Sequence, residues 1–320
     1  MEILNDHVAR IPVFFGENGN ALVNVYLVRG EKIGLIDTGV AGSPERWIGP
    51  ALRQIGLTLG DVDFILNTHG HSDHIGGNAE IQQASEAQVH LHRHDLFTAD
   101  GVDAYMQGPS DNSAPLRVLG RDDMLAARQP RLAMNLGGTF HVDRVLEDGD
   151  RIDLGQGVVL DVVHTPGHTL GHVSFFWEPQ ATLFSGDAIQ GFAHGLPSYF
   201  FASAYQASVR RVMEMPIQTL CLAHAFDWSR AINLPIRHGD EVRQTLSDSL
   251  EIAQRIGGAV KAVMAARPEI GLIDLAWAVL DELRWVQPVQ YHRELGALPN
   301  QLAPIMAHWL EERGVDPASI

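Results

Sequence analysis

Apolar residues recur with two different spacings along the first 240 positions of the chain. Continuous or alternating apolar runs predict strands, whereas apolar residues three and four positions apart predict helices. The predicted strands lie at residues 21–28, 32–36, 62–67, 158–163, 173–177, 182–185 and 219–222. The predicted helices of this part lie at residues 44–56 and 205–215. This mixture of strands and helices is typical of an α/β domain.

Two regions depart from this mixture. Residues 96–140 are rich in Gly, Pro, Asp and Arg, hold one predicted helix near 122–128, and are expected to form a lid or binding insertion. From residue 239 onward, helical spacing dominates. Helices are predicted at residues 240–256, 258–266, 273–283 and 302–313. The pattern therefore predicts a main domain at residues 1–238 and a helical module at residues 239–320.

The composition indicates to which broad class of proteins the chain belongs. The chain has 320 residues, of which 45% are hydrophobic and 7% aromatic, as expected of a globular protein with a sizeable core. No apolar run approaches the roughly 18 residues of a membrane span, and the first residues lack the pattern of a signal peptide. The one cysteine, Cys221, cannot form an intramolecular disulfide. These features predict a cytoplasmic protein that does not bind a membrane.

The formal net charge of −16 bears on the partner. A strongly negative field repels phosphate backbones, so the sequence predicts no nucleic-acid partner. A small neutral or apolar substrate is expected instead.

Histidines and aspartates concentrate in four short segments. The candidate ligands are His69, His71, Asp73, His74, His168, Asp187 and His224. Five imidazoles and two carboxylates are ligands that a divalent ion such as zinc accepts. Seven ligands exceed what one tetrahedral ion takes, but they match two ions that share one carboxylate.

The order of these segments resembles the metallo-β-lactamase superfamily. The run at residues 68–77 follows an apolar strand and carries the first four ligands. Residues 35–39 are similar to the early strand and turn of that family, 165–169 to its second ligand loop, and 185–187 to the segment of its bridging aspartate. His224 stands about where the family has its last histidine. The resemblance covers roughly residues 8–230.

The resemblance implies a fold and a set of roles. The fold would be a four-layer αββα sandwich with a C-terminal helical extension. His69, His71 and His168 would hold the first ion, and Asp73, His74 and His224 the second, with Asp187 bridging. The ions would most simply be zinc, with iron or manganese left open. A hydroxide held between the ions would attack a carbonyl, Asp73 and Asp187 would be catalytic, and Asp37 would orient a ligand histidine or cap its own turn.

Two branches of the superfamily match all seven ligands, glyoxalase II enzymes and acyl homoserine lactonases. The basic glutathione-binding region of glyoxalase II has no clear counterpart after Asp240, and the tyrosine that lactonases usually place just after the bridging aspartate is absent here. We expect hydrolysis of a thioester or related small-molecule ester. A lactone is the alternative, and a mononuclear iron dioxygenase is the third interpretation.

Aromatic and histidine side chains near the last two ligands suggest substrate contacts. The candidates are Phe192, His194, Tyr199 and Phe226. They predict an apolar acyl or aryl group, with Tyr199 or His194 as a donor to an oxyanion. A hydrogen bond to the His168 loop is expected from His164 or His172. The alternating histidines at 90, 92 and 94 are interpreted as structural, and homodimerisation is left open.

Overall fold

Two β-sheets form the centre of the protein. The structure is a computed structural model that describes residues 1–16, 19, 21–108, 113–191, 195–226, 234–284 and 299–319. The first sheet contains, in this order, β1 Glu2–Ile3, β2 Val8–Phe15, β3 Ala21–Arg29, β4 Ile33–Ile36, β5 Phe64–Leu66, β6 Gln88–His92 and β7 Arg144–Leu146. Strands β1 to β4 are antiparallel, and β4 to β7 are parallel.

The second sheet is built from the other half of the domain. Its strands, in chain order, are β8 Arg151–Asp153, β9 Val159–His164, β10 Val173–Trp177, β11 Thr182–Gly186, β12 Thr219–Leu222 and β13 Ile236–His238. They lie side by side in the order β13-β12-β11-β10-β9-β8, and only β11 and β12 pair in parallel. The carboxyl ends of β11 and β12 therefore lie next to each other.

The described residues form ten α-helices. They are α1 Gly49–Arg53, α2 Ser72–Ile75, α3 Asn78–Ala84, α4 Val102–Gln107, α5 Ala114–Val118, α6 Asp122–Leu136, α7 Ala202–Met213, α8 Asp240–Ala266, α9 Leu272–Glu282 and α10 Pro299–Glu312. Helices α1 and α3 pack with the first sheet, and α7 and α8 with the second. A π-helical turn at Pro44–Ile48 precedes α1. Short 3-10 helices lie at Leu59–Asp61, Arg93–Asp100, Glu178–Gln180 and Pro317–Ser319.

Alternation along β5 shows how the layers pack. Successive side chains of a strand point to opposite faces of a sheet. Phe64 and Leu66 pack against the second sheet, whereas Ile65 packs with Leu52 of α1. On the far side of the second sheet, Leu183 packs with α7. These contacts give the layer order helix, sheet, sheet, helix, which confirms the αββα sandwich expected from the sequence.

The strand predictions are the most accurate of the sequence analysis. The strands predicted at residues 173–177 and 219–222 match β10 and β12 end to end, and the other predicted strands differ only at their ends.

The number of helices in the insertion at residues 96–140 was underestimated, because three helices, α4 to α6, lie there instead of one. Helix α6 packs against α2, and α5 against α10. These contacts join distant parts of the chain and leave little mark on local sequence.

The prediction of two helices on either side of Gly257 was wrong. Helix α8 runs without a break for 27 residues. A Cβ added at Gly257 would lie 2.7 Å from Cε1 of His308 in α10. This glycine therefore serves close helix packing instead of ending a helix.

The C-terminal helices share a continuous core with the preceding elements. Residues of α8, α9 and α10 form one hydrophobic cluster with Leu196, Phe200 and Phe201, and with Ala114 of α5. The proposed division after residue 238 stays a prediction. Within the described ranges, no helix is both long and apolar enough to cross a membrane.

We expect His90 to make the protein less stable in acid. Its side chain is buried against the ring of Phe64, and neither ring nitrogen has a hydrogen-bond partner within the described part of the chain. Burial lowers the pKa of His90 to about 4. Because the unfolded chain takes up a proton near pH 6.5 and the folded one does not, this group should reduce stability as the pH falls from 6.5 towards 4, by up to about 1.4 kcal/mol per pH unit.

Replacement of His90 by Phe should remove this acid sensitivity. Urea unfolding at pH 7 and at pH 5 measures it: the loss of unfolding free energy between the two pH values should be smaller in His90→Phe than in the original protein. Equal losses in the two proteins would contradict this account.

Candidate metal centre

All seven candidate ligands lie just after the carboxyl ends of strands. Four of them follow β5, on the loop that enters α2 and on that helix itself. His168 lies in the loop between β9 and β10, Asp187 directly follows β11, and His224 follows β12. Asp187 is preceded by Gly186, whose φ is +50° and where a Cβ would approach Thr68 to 2.7 Å. Only glycine fits this position, so Asp187 begins immediately beside the loop of the first ligands.

Three histidines form the first group of ligand atoms. Nε2 of His168 lies 3.1 Å from Nε2 of His69 and 2.8 Å from Nδ1 of His71. His69 and His168 are buried, and His71 is half-buried. These three nitrogens lie close enough together to hold one ion.

The second group combines two histidines with a carboxylate. Nε2 of His224 lies 3.3 Å from Nε2 of His74 and 3.5 Å from Oδ2 of Asp73. The side chains of Asp73 and His224 are 25% and 21% exposed, whereas His74 is fully buried. The partly exposed ligands are therefore Asp73 and His224 of this group and His71 of the first group.

The carboxylate of Asp187 lies between the two groups. Its Oδ1 is 3.5 Å from Nε2 of both His74 and His224, and its Oδ2 is 3.4 Å from Nε2 of His168. Oδ1 is buried without a hydrogen-bond partner among the described residues. A buried carboxylate oxygen in this condition is costly unless a cation or donor satisfies it.

The outer nitrogens of the histidines are fixed by hydrogen bonds. Nδ1 of His74 donates to Oδ2 of Asp37 at 2.8 Å, and Nδ1 of His224 donates to the Leu22 carbonyl at 2.7 Å. Nδ1 of His168 donates to the carbonyl of Ser198 at 2.5 Å. A neutral imidazole that carries its proton on the outer nitrogen turns a lone pair inward. The donor set therefore fits divalent ions.

The pKa values of the histidines differ between the two groups of ligand atoms. Burial, followed by the neighbouring imidazoles, lowers the pKa of His69 and of His168 well below the usual range, so both are neutral. Burial also lowers the pKa of His74, but the carboxylates of Asp37, Asp187 and Asp73 outweigh it and raise the pKa to about 10. The same carboxylates would favour a bound cation at this nitrogen.

Asp37 and His172 lie directly behind the ligands. Asp37 binds His74, as the sequence suggested, and also accepts a hydrogen bond from the backbone N–H of Thr68 at 2.8 Å. Nε2 of His172 accepts a hydrogen bond from the backbone N–H of Asp187 at 2.9 Å. The expected hydrogen bond to the His168 loop is also present, since Nδ1 of His172 lies 2.8 Å from the hydroxyl of Thr165. His164 contributes another, to the Leu170 carbonyl at 2.9 Å.

Asp95 was missed by the sequence analysis. Its side chain is buried, and Oδ2 accepts hydrogen bonds from the backbone N–H of Gly70 and from the hydroxyl of Thr169, both at 2.9 Å. Gly70 stands between two ligands of the first group, and Thr169 follows the third. One carboxylate therefore ties the two ligand loops together. Only its place after β6, a strand of the same sheet as β5, could have indicated this role.

The structure gives little support to the predicted substrate contacts. Tyr199 is fully buried and its hydroxyl is engaged by His308 at 3.0 Å, so it is not free to contact an oxyanion. Phe226 is buried in the core, next to Gly191. Phe192 and His194 lie outside the described residues. Of the alternating histidines, His92 stacks on His164 with ring centroids 4.4 Å apart.

Comparison with known proteins places the chain in a family. The family model of the metallo-beta-lactamase superfamily matches residues 18–224. A hydroxyacylglutathione hydrolase of Rhodospirillum rubrum is 29% identical over 201 residues, covering 61% of this chain and 59% of that protein. A protein of the same name from Pseudomonas putida is 30% identical over 203 residues, covering 62% and 59%. The chain thus spans about 59% of the length of these relatives.

Solved structures agree on the fold. A metallo-beta-lactamase family protein from Thermus thermophilus superposes with a TM-score of 0.71 at 20% identity, covering 98% of this chain and 95% of that one. A beta-lactamase domain protein from Burkholderia ambifaria has a TM-score of 0.66 at 16% identity, covering 98% and 88%. At these identities the likeness concerns the fold alone.

Proposed function

Because the chain belongs to the metallo-β-lactamase superfamily, we propose that it is a metal-dependent hydrolase that cleaves a thioester or related small-molecule ester. The position of Asp187 carries the proposal. Its two carboxylate oxygens face two separate groups of ligand atoms, and the oxygen on the His74 side has no other partner among the described residues. This is the arrangement in which one carboxylate would serve two ions.

The seven ligands divide as the geometry groups them. His69, His71 and His168 would hold one ion, and Asp73, His74 and His224 the other. Asp187 would contribute one oxygen to each. Histidine and carboxylate ligands suit zinc first, and they also accept iron or manganese.

Bound divalent ions would supply an ionised water at neutral pH and would polarise the carbonyl of the substrate. The protein's own side chains would orient the attacking water and hold the ligands in place. Burial raises the pKa of Asp73, but His74, His224 and His71 lower it by more, so this carboxylate is ionised at neutral pH. Its partly exposed side chain can accept a hydrogen bond from the attacking water and so orient it. Asp37 and His172 keep His74 and Asp187 in place.

The names of the relatives support the substrate class. The curated relatives in the comparison are named for hydrolysis of a hydroxyacylglutathione, which is a thioester. The ring of Phe200 lies 6.2 Å from that of His71 and 6.4 Å from that of His168, but Phe200 is itself buried in the core. The apolar acyl or aryl group expected from the sequence therefore stays a prediction.

Metal content and a small substrate panel test the proposal together. We expect two divalent ions per chain by elemental analysis, and hydrolysis of S-lactoylglutathione or an acyl-CoA in a panel that also contains an acyl homoserine lactone and a cephalosporin. Turnover of the lactone alone would replace the thioester by a lactone. A single iron per chain with no hydrolysis would contradict the hydrolase and favour an oxygenase.

A further inference from the structure

Buried side chains connect the C-terminal helices to the loop that carries His168. Tyr199 is fully buried, and its hydroxyl is hydrogen-bonded to Nε2 of His308, on α10, at 3.0 Å. The ring of Tyr199 stacks on that of Tyr205, with centroids 4.5 Å apart and planes 19° apart. The side chain of Tyr199 is therefore fixed both by the stacking of its ring and by the hydrogen bond of its hydroxyl.

The backbone next to Tyr199 holds the His168 loop directly. The carbonyl of Ser198 accepts the hydrogen bond from Nδ1 of His168. The backbone N–H groups of Phe200 and Phe201 both donate to the carbonyl of Gly167, at 2.9 and 3.0 Å. Three hydrogen bonds thus join residues 198–201 to residues 167–168. A displacement of Tyr199 would move the acceptor that orients the His168 ring.

His308 is itself fixed in place. It packs over Gly257 of α8, where an added Cβ would lie 2.7 Å from Cε1 of its ring. Nε2 of the same ring lies 3.0 Å from the hydroxyl of Tyr199. Burial lowers the pKa of His308, so the ring is neutral. The ring is therefore in contact with both α8 and Tyr199.

A second path from α8 reaches Asp187. The hydroxyl of Tyr205 lies 3.0 Å from Oγ of Ser249 in α8, and it accepts a hydrogen bond from the backbone N–H of Gln190 at 3.1 Å. The side chain of Gln190 accepts from the backbone N–H of Ser198 at 2.7 Å and donates to the backbone carbonyl of Asp187 at 3.0 Å. Gln190 therefore links the two segments that carry Asp187 and Ser198.

We propose that His308 is a positioning residue of the metal centre, which holds the ring of His168 in its ligand orientation through Tyr199 and Ser198. The C-terminal helices are then a structural part of the centre, not only a neighbouring module. This inference rests on the proposed function, because it assumes that His168 binds an ion.

Metal binding by variants of the whole 320-residue chain tests this role. His308→Phe keeps a ring of similar size but removes the hydrogen-bond partner of Tyr199, whereas His308→Gln keeps a polar partner. We expect His308→Phe to weaken zinc affinity measurably in a chelator competition, by no more than the roughly 10- to 100-fold lost when a ligand's own hydrogen-bond partner is removed. The visible spectrum of the Co²⁺-loaded protein should shift as well. His308→Gln should stay much closer to the original protein in both measurements.

Glu311→Gln is the matched control. Glu311 also joins α10 to the start of α7, through hydrogen bonds to the backbone N–H and the hydroxyl of Ser203 at 2.9 and 2.7 Å. This contact is exposed and lies off the path to His168. Glu311→Gln should lower the melting temperature of the metal-free protein slightly and leave zinc affinity unchanged. An equal loss of affinity in both variants would show a general effect of helix docking and would overturn the proposal.

Other outcomes are also decisive. Unchanged affinity and an unchanged Co²⁺ spectrum in His308→Phe would refute the role of His308. If that variant does not fold, Tyr199→Phe removes only the hydroxyl from the same hydrogen bond, and it must show the same loss of affinity. A failure of the original protein to bind zinc or Co²⁺ would instead refute the proposed function.

Discussion

Replacement of Asp187 by alanine should lower the bound metal below two ions per chain and reduce the hydrolysis rate by several orders of magnitude. Among the described residues, Asp187 is the side chain whose oxygens face both groups of ligand atoms, at 3.4–3.5 Å from three histidine nitrogens. Its loss would remove a ligand from each ion and the negative charge between them. Elemental analysis and steady-state kinetics on the best substrate of the panel measure the two effects.

The metal-free Asp187→Ala protein should still fold. Oδ1 of Asp187 has no hydrogen-bond partner in the described part of the chain. Oδ2 accepts a long hydrogen bond from Nε2 of Gln190 at 3.4 Å, but this nitrogen also donates to the backbone carbonyl of Asp187 at 3.0 Å, which alanine keeps. Glu178→Ala is a suitable control, because Glu178 is exposed in the turn before the same strand β11. It should keep both ions and full activity. Two ions and full activity in Asp187→Ala would refute the bridging role.

Replacement of Asp95 by alanine should affect both stability and metal binding. It would leave the buried N–H of Gly70 and the hydroxyl of Thr169 without their acceptor. An unsatisfied buried donor costs about 1–3 kcal/mol, so we expect the free energy of unfolding to fall by roughly 2 kcal/mol or more. Because the two ligand loops would no longer be tied together, zinc affinity should fall about 10- to 100-fold.

Urea unfolding and chelator competition measure these two effects separately. Asp100→Ala provides the control, since Asp100 is exposed at the end of the same 3-10 helix and should change neither quantity. A stable Asp95→Ala protein with the zinc affinity of the original would show that the loops are positioned without this carboxylate.

The positions of the strands could be predicted because their signal is local. The apolar runs of β10 and β12 fill the space between and behind the sheets, and such runs are visible in any short window of sequence. The helices of the insertion and the full length of helix α8 were harder to predict. Helices α4 and α5 are short, and glycine at position 257 reads locally as a helix end. Its actual role depends on His308, which lies 51 residues further along the chain.

The candidate metal centre, too, was only partly predictable from the sequence. Residues that act together within one run, such as His69, His71 and His74, are recognisable by their chemistry and spacing. Tyr199 was expected at the substrate because it closely follows Asp187, yet its hydroxyl is engaged by a helix more than 100 positions away. Asp95 was not expected at all, since a single aspartate carries no pattern of its own.

The sequence by itself determined seven strands with a local apolar pattern and a set of histidines and aspartates that suits divalent ions. These follow from residue type and short-range spacing, which any stretch of chain carries with it. The αββα architecture and the bridging place of Asp187 were implied by the resemblance of the motifs to a known family. Only the tertiary structure decided the order of the strands in each sheet, which nitrogen of each histidine turns inward, and that Asp95 and Tyr199 make hydrogen bonds behind the ligands. Those features depend on hydrogen bonds and burial between segments far apart in the chain, and such contacts exist only once the chain has folded.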